Sequence, residues 1–250
     1  MTVKTKSAFI AIIGRPNVGK STLLNRLVGH KVAIVSDKPQ TTRNRIMGVQ
    51  TRGATQFVFL DTPGAHRPRT RLGDFMVKSI SEAVSGVDAA VLVTRPGSRI
   101  TEEDRDLVQQ CGQQKLPVVL AINKTDTLSD KSVLLAMIAG WKDIYDFAAV
   151  VPISALTGDG VEKLISELDR FAFESPHFFP DDTISDQPER VIAAELVREK
   201  ILQLLRDEVP HGVAVVIESM KERDNGQDAI LDIEAYIYCE RESHAVRNLV

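Results

Sequence analysis

Ala8-Phe-Ile-Ala-Ile-Ile-Gly-Arg-Pro-Asn-Val-Gly-Lys-Ser21 is an apolar run that breaks at Gly14 into the pattern G-x-x-x-x-G-K-S. The run suits a strand buried on both faces, and from Lys20 to Val28 the apolar residues recur at helical spacing. A glycine-rich loop between a buried strand and a helix is built to hold phosphates. Backbone N–H groups surround the anion, the helix N-terminus adds partial positive charge, Lys20 reaches the β and γ oxygens, and the Ser21 hydroxyl ligates Mg2+. Gly14, Asn17, Val18, Gly19, Lys20, Ser21 and Thr22 are therefore expected around the phosphates of a nucleotide.

The same alternation continues outward. Phe57 to Leu60, Ala89 to Val93, Val118 to Ile122 and Ala149 to Ile153 read as further buried parallel strands. Between them Asp74 to Ser85, Glu102 to Gln114, Lys131 to Tyr145 and Val161 to Phe173 have helical spacing, with Trp141 and Phe147 as core residues. Strand and helix in turn imply an α/β fold, a P-loop NTPase with a doubly wound, mostly parallel sheet over residues 1–173. Residues 174–188 hold three prolines and few helix formers, and are expected to be a linker. Residues 189–250 read as a small, incomplete α+β unit. Its helix runs from Glu189 to Glu208 with a stripe of Ala193, Val197, Ile201, Leu204 and Leu205; its two strands are separated by a charged turn at Lys221 to Gly226.

Three more motifs fall at the ends of apolar strands. Asp61-Thr-Pro-Gly64 supplies a carboxylate for Mg2+, and a Gly64 N–H for the γ-phosphate. In Asn123-Lys-Thr-Asp126 the carboxylate of Asp126 can accept two parallel hydrogen bonds from guanine's ring N–H and exocyclic amine, which adenine does not offer. The nucleotide is thus GTP or GDP, with Asn123 bracing the phosphate loop and the Lys124 stem along the purine. Ser154-Ala155-Leu156 completes the series, with the Ala155 N–H expected on the guanine carbonyl.

Composition agrees with a folded, reduced protein. At 43% apolar and 26% charged residues the chain is neither disordered nor fibrous. Cys111 and Cys239 form no metal-ligand or disulfide pattern, and no apolar run reaches the length of a membrane span, so a cytoplasmic location is expected. His66 and His211 read as surface or turn residues. The net charge of −3 hides an asymmetry: residues 38–71 carry +6 and residues 189–250 carry −5. One basic band on an acidic chain suggests a local anionic partner.

These motifs resemble the translation-factor-like class of GTPases and, within it, the Era family of ribosome-assembly GTPases. The form Gly-Arg-Pro-Asn-Val-Gly-Lys-Ser, the stretch Pro39-Gln-Thr-Thr-Arg43, a single GTPase domain and Cys239-Glu-Arg-Glu-Ser-His244 carry the resemblance over nearly the whole chain. It implies a switch threonine on Mg2+ and the γ-phosphate, Thr42 with Thr41 as its competitor, and catalytic support from Lys20, Thr42, Asp61 and Gly64 with metal ligands Ser21, Thr42 and Asp61. It also implies small-subunit ribosomal RNA and the small ribosomal subunit as partners through a KH-type C-terminal domain, a monomer, and peripheral contact with the inner face of the cell membrane. A signalling switch that binds proteins is the alternative.

Two departures qualify the resemblance. Ala65 follows Gly64 where Ras-like enzymes carry a water-orienting glutamine, so slow intrinsic hydrolysis is expected. Asn17 resembles the asparagine with which related GTPases hold potassium, which makes K+ a candidate cofactor. No two of the 15 glycines stand three apart, so the Gly-x-x-Gly clamp of a KH domain is missing and the chain is expected to be truncated after Val250.

Overall fold

A computed structural model of the chain describes residues 4–36, 46–61, 86–204, 213–224 and 229–239. Contacts divide them into two compact units, one reaching to Ala33 and resuming through Asp186, the other made of residues 34–36 together with those from Gln187 onward.

The first unit is built on one sheet. β1 (Lys6–Ile13), β3 (Thr55–Asp61), β4 (Ala89–Thr94), β5 (Val118–Ile122) and β6 (Ala149–Pro152) are parallel, and β2 (Ile46–Arg52) runs antiparallel to β3 at the edge, giving the order β2-β3-β1-β4-β5-β6. Strand alternation sorts the core into two layers. Ala8, Ile10, Ile12, Val91, Val93, Val119 and Ala121 pack with α1 (Lys20–Val28) and α4 (Val161–Leu168) on one face. Ala11, Ile13, Ala90, Leu92, Leu120 and Ile122 pack with α2 (Glu102–Gln113) and α3 (Ser132–Lys142) on the other. All six residues of β4 and all five of β5 are buried, which is why their sequences are continuous apolar runs. Trp141 is fully buried, with the Phe147 ring edge-on at 5.8 Å. The chain leaves β1 toward β3 and returns to its other side as β4, and such a reversal opens a crevice at the carboxyl ends of the strands.

Several expectations change. The edge strand β2 lies inside the stretch read as a basic band; its apolar residues alternate too briefly to stand out beside the arginines. The helix expected to Phe173 stops at Leu168, where a 3-10 turn (Asp169–Phe171) leads into β7 (Phe173–Glu174), antiparallel to the start of β1. The proline-rich stretch after it is not a free tether. Gln56, fully buried, accepts the N–H groups of Phe178 (2.8 Å) and Phe179 (3.0 Å) on Oε1 and donates from Nε2 to the Phe179 carbonyl (2.9 Å). The Ile184 carbonyl accepts the Val49 N–H at 2.9 Å, and Ser185 Oγ donates to the Met47 carbonyl at 2.8 Å. Prolines bar a helix here but leave carbonyls free to accept from a strand edge.

In the second unit Pro188 accepts the Val191 and Ile192 N–H groups at the start of α5 (Glu189–Leu204). The expected apolar stripe is rotated. Arg198, Glu199 and Leu202 are buried while Leu204 is 76% exposed; Arg198 forms a two-pronged pair with Glu195 of the same helix (2.8 and 2.6 Å), and Glu199 Oε1 accepts the Val35 N–H (2.8 Å). β8 (Val213–Asp224) pairs antiparallel with β9 (Ala229–Cys239), with an irregularity between Ile217 and Ser219. Lys221 to Asp224, expected as turn, continues the strand. Val213 and Ile217 are buried as the alternation predicts, whereas Leu231, Ile233 and Ile237 are exposed. The expected helix at 74–85, His66, His211 and the residues after Cys239 lie outside the described residues.

Candidate functional site

Each sequence motif falls at the carboxyl end of a strand, so four separate stretches meet on one rim of the sheet. Gly14 follows β1, Asp61 ends β3, Asn123 follows β5 and Ser154 lies just beyond β6.

Backbone geometry makes both motif glycines obligatory. Gly14 (φ 143°) has no room for a Cβ, which would stand 2.4 Å from the Val93 carbonyl oxygen. At Gly19 (φ 99°) it would stand 2.2 Å from Asn123 Nδ2. Asn17 also has a positive φ of 60°, a conformation that asparagine tolerates better than most residues. Lys20 is buried, its ammonium donating to the carbonyls of Gly14 (3.0 Å) and Arg15 (2.9 Å). Burial, outweighing the attraction of Asp61, lowers its pKa to about 8.

Ser21 Oγ donates to Asp61 Oδ2 at 2.7 Å, and Asp61 is fully buried. A hydroxyl and a carboxylate held together beside a buried lysine fit the oxygen donors that Mg2+ takes, with phosphate oxygens and waters as its remaining ligands. Val18 is buried in the same core as Leu23, and Thr22 continues the first turn of α1.

Asn123 joins the two ends of the site. Its Nδ2 donates to the Val18 carbonyl (2.8 Å) and its Oδ1 accepts the Ala155 N–H (2.8 Å), so one buried side chain fixes the phosphate loop to the loop after β6. Lys124 adopts φ 66°, with its Cε 3.9 Å from where a Gly19 Cβ would stand. Ser154 Oγ donates to Asp126 Oδ1 at 2.6 Å, orienting the carboxylate expected to meet guanine. The Ala155 N–H, expected on the guanine carbonyl, faces Asn123 Oδ1 in this structure. Leu156 is 68% exposed.

Two residues that the motif reading passed over support these loops. Arg15 ion-pairs with Asp104 (3.2 Å), which also closes the capping box at Thr101 that starts α2. Arg26, near the end of α1, donates from Nε to the Ala155 carbonyl (3.1 Å) and from Nη2 to the Leu156 carbonyl. An arginine six residues past Lys20 was the available signal, and it reads as an exposed helix residue until the loop is placed. Thr41, Thr42, Gly64 and Ala65 lie outside the described residues. Of the basic band only Arg52 is described, 2.9 Å from Glu162. Among the described residues no three His, Cys, Asp or Glu side chains cluster as a metal site, and no helix is long and apolar enough to cross a membrane.

A family model described as 50S ribosome-binding GTPase matches residues 9–124. GTPase Era of Clostridioides difficile (strain 630) is 50% identical over 239 residues, covering 96% of this chain and 80% of that protein. GTPase Era of Ruminiclostridium cellulolyticum is 48% identical, covering 96% and 79%. Among solved structures, the crystal structure of Era in complex with MgGDPNP and nucleotides 1506–1542 of 16S ribosomal RNA matches with a TM-score of 0.88 at 36% identity, over 96% of this chain and 80% of that one.

Proposed function

The chain belongs to the Era family of GTPases, and from that membership we propose that it hydrolyses GTP as a switch in small ribosomal subunit assembly, acting through ribosomal RNA. The observation that carries the nucleotide part is Asp126, held by Ser154 at 2.6 Å and joined through Asn123 to the phosphate loop. The relative solved with Mg2+, a GTP analogue and a 16S RNA fragment supports the RNA part over a protein-only signalling role.

Gly14, Asn17, Val18 and Gly19 surround the phosphates with backbone groups, and Lys20 leaves its loop carbonyls to meet the β and γ oxygens. Ser21 and Asp61, with Thr42 or its neighbour Thr41, would hold Mg2+, and the ion would supply Lewis-acid stabilisation of the phosphates. Gly64 presents its N–H to the γ-phosphate. Ala65 has no group to place the attacking water, so no side chain of the chain is assigned as general base and unaided hydrolysis is slow. Asn17 would hold a potassium ion, whose charge would offset part of the charge that builds on the γ-phosphate. Single-turnover hydrolysis in potassium against sodium at equal ionic strength tests this; equal rates would remove Asn17 from that role and leave it as a left-handed turn residue.

Base identity has the sharper test. Asp126→Asn places a donor where guanine's amine arrives and suits the oxygen of xanthosine triphosphate. Competition among GTP, ATP and xanthosine triphosphate should show a switch of preference to the last; retained preference for GTP would remove Asp126 from the base site. For the partner, capture of a 3′ fragment of 16S RNA, lost on nuclease treatment, supports the RNA role, and protein partners that survive nuclease favour the signalling one. A cytoplasmic monomer with peripheral contact at the inner membrane face completes the reading, tested by sedimentation and by flotation with anionic vesicles.

A further inference from the structure

The chain between α1 and the stretch read as the switch is held bond by bond. Asn25 of α1 takes the first half: its Oδ1 accepts the N–H groups of Val32 and Ala33 at 2.9 Å each, and its Nδ2 donates to the Ala33 carbonyl at 2.7 Å. The second half belongs to α5. Glu199 Oε1 accepts the Val35 N–H at 2.8 Å and Gln203 Nε2 donates to the Val35 carbonyl at 3.4 Å, so both backbone groups of one residue are taken by two side chains one helical turn apart. Ile34 is buried, and Glu199 is only 1% exposed. A carboxylate so far from water is costly to keep unless its hydrogen bonds are made, and a bond from a backbone N–H to a charged oxygen is among the stronger ones. Val35 stands six residues before Thr41 and seven before Thr42.

We propose that Glu199, with Gln203 beside it, is a positioning residue for the triphosphate form: by fixing Val35 it anchors the near end of the switch before a γ-phosphate arrives. This rests on the reading of Thr42 or Thr41 as the switch threonine. In GTPases the γ-phosphate and its Mg2+ order the switch, and hydrolysis releases it. Ordering costs backbone entropy for every residue fixed, and the cost grows with the length of chain between anchors. The far end of that chain is secured at Ile46, which pairs with Asp61 across β2 and β3. Loss of the clamp adds Ile34 and Val35 to the length that must be ordered, because the last residue Asn25 holds is Ala33. The clamp therefore favours triphosphate over diphosphate. Linkage makes the effect mutual: whatever factor the clamp adds to triphosphate binding, the triphosphate adds to the clamp, so α5 registers the third phosphate through Val35.

The test compares the affinities of GDP and of the non-hydrolysable GDPNP, both with Mg2+, for the native chain and for Glu199→Ala. GDPNP binding should weaken about 5- to 10-fold while GDP binding stays within about twofold, so the preference for the triphosphate falls. Glu199→Gln keeps the length and an oxygen that accepts less strongly; it should lose about 2- to 3-fold, and it carries the comparison if circular dichroism shows that the alanine variant does not fold. Hydrogen exchange reads the reciprocal effect: in the native chain the Val35 N–H should exchange more slowly with GDPNP than with GDP. A residue that merely stabilises α5 would weaken both nucleotides alike or neither. An unchanged ratio therefore overturns the proposal, as does equal exchange at Val35 in the two complexes. Thr41→Ala and Thr42→Ala separate the two layers. If either lowers the GDPNP preference while the Glu199 variants do not, only the anchor fails; if neither does, the switch reading and this proposal fail together.

Discussion

With Lys20 assigned to the phosphates, nucleotide binding should be coupled to uptake of a proton. Its ammonium is buried against the carbonyls of Gly14 and Arg15, and burial lowers its pKa from 10.5 to about 8. Phosphate oxygens arriving beside the amine favour its charged form and raise that pKa again. Binding therefore takes up the proton that free Lys20 lacks: about 0.1 per nucleotide at pH 7, about 0.5 at pH 8 and about 0.9 at pH 9. Phosphate groups, with a last pKa of about 6, are already ionised over this range and add little. Affinity should fall as pH rises above about 8, approaching tenfold per unit. Titration calorimetry of GDP in buffers of different ionisation enthalpy reads the uptake directly, and Lys20→Arg, whose guanidinium stays charged, should abolish it. The same shift has a stability consequence of opposite sign. Unfolded Lys20 holds its proton up to about pH 10.5, so the nucleotide-free fold carries a penalty of about 3 kcal/mol below pH 8 that is relieved between pH 8 and 10.5. Uptake that stays near zero from pH 7 to 9 would show that Lys20 is charged before the nucleotide arrives, and the burial argument would be wrong.

The strap over residues 175–185 supplies two further expectations. Gln56→Ala leaves the N–H groups of Phe178 and Phe179 and the Phe179 carbonyl without their buried partner, and should cost about 2–4 kcal/mol in urea unfolding; a loss below about 0.5 kcal/mol would mean that the strap contributes nothing to the fold. His177 donates through one ring nitrogen to Asp181 (2.6 Å) and through the other to the Ala54 carbonyl (3.1 Å), an arrangement only the protonated ring completes, which raises its pKa above 6.5. Its stabilisation is present in full below about pH 6.5 and is lost as pH rises through the higher folded-state value. An NMR titration of its ring should have its midpoint above 6.5 and fall with Asp181→Asn; a midpoint at or below 6.5 in the native chain would refute the clamp.

The parallel core was legible because strands buried on both faces are short continuous apolar runs, and five of them ended in recognisable chemistry or strand-to-helix breaks. What escaped reading depends on pairing rather than pattern. β2 is an edge strand whose Gly48 and polar residues give weak alternation, and its place is set by seven paired positions along β3. The strap at 175–185 has no period at all, and its course follows contacts with residues far back in the chain, the buried Gln56 and the edge strand β2 among them. In α5 the apolar stripe pointed to one face and the buried face is another, the one from which the Glu199 carboxylate holds the backbone N–H of Val35. Within the site, residue types and order foretold the company of Asp61, Asn123, Asp126 and Ser154, but not that Asn123 would occupy the Ala155 N–H. Hydrogen-bond competition among neighbours is settled by distance, and spacing along a chain does not contain it.

That competition ties the loop after β6 to the phosphate loop. Asn123 bonds Val18 in the phosphate loop and Ala155 in the base loop, and it stands where any side chain on Gly19 would collide with it. Arg26, on the helix that follows the phosphate loop, makes a second bridge to the neighbouring carbonyls. Asn123 holds the 154–155 peptide by its N–H, and Arg26 holds the next two peptides by their carbonyls, so three successive peptides of this loop are fixed in orientation. Rigidity of this kind lowers the entropy lost when a nucleotide binds, so the affinity of the base site depends on the phosphate loop being in place before any phosphate arrives.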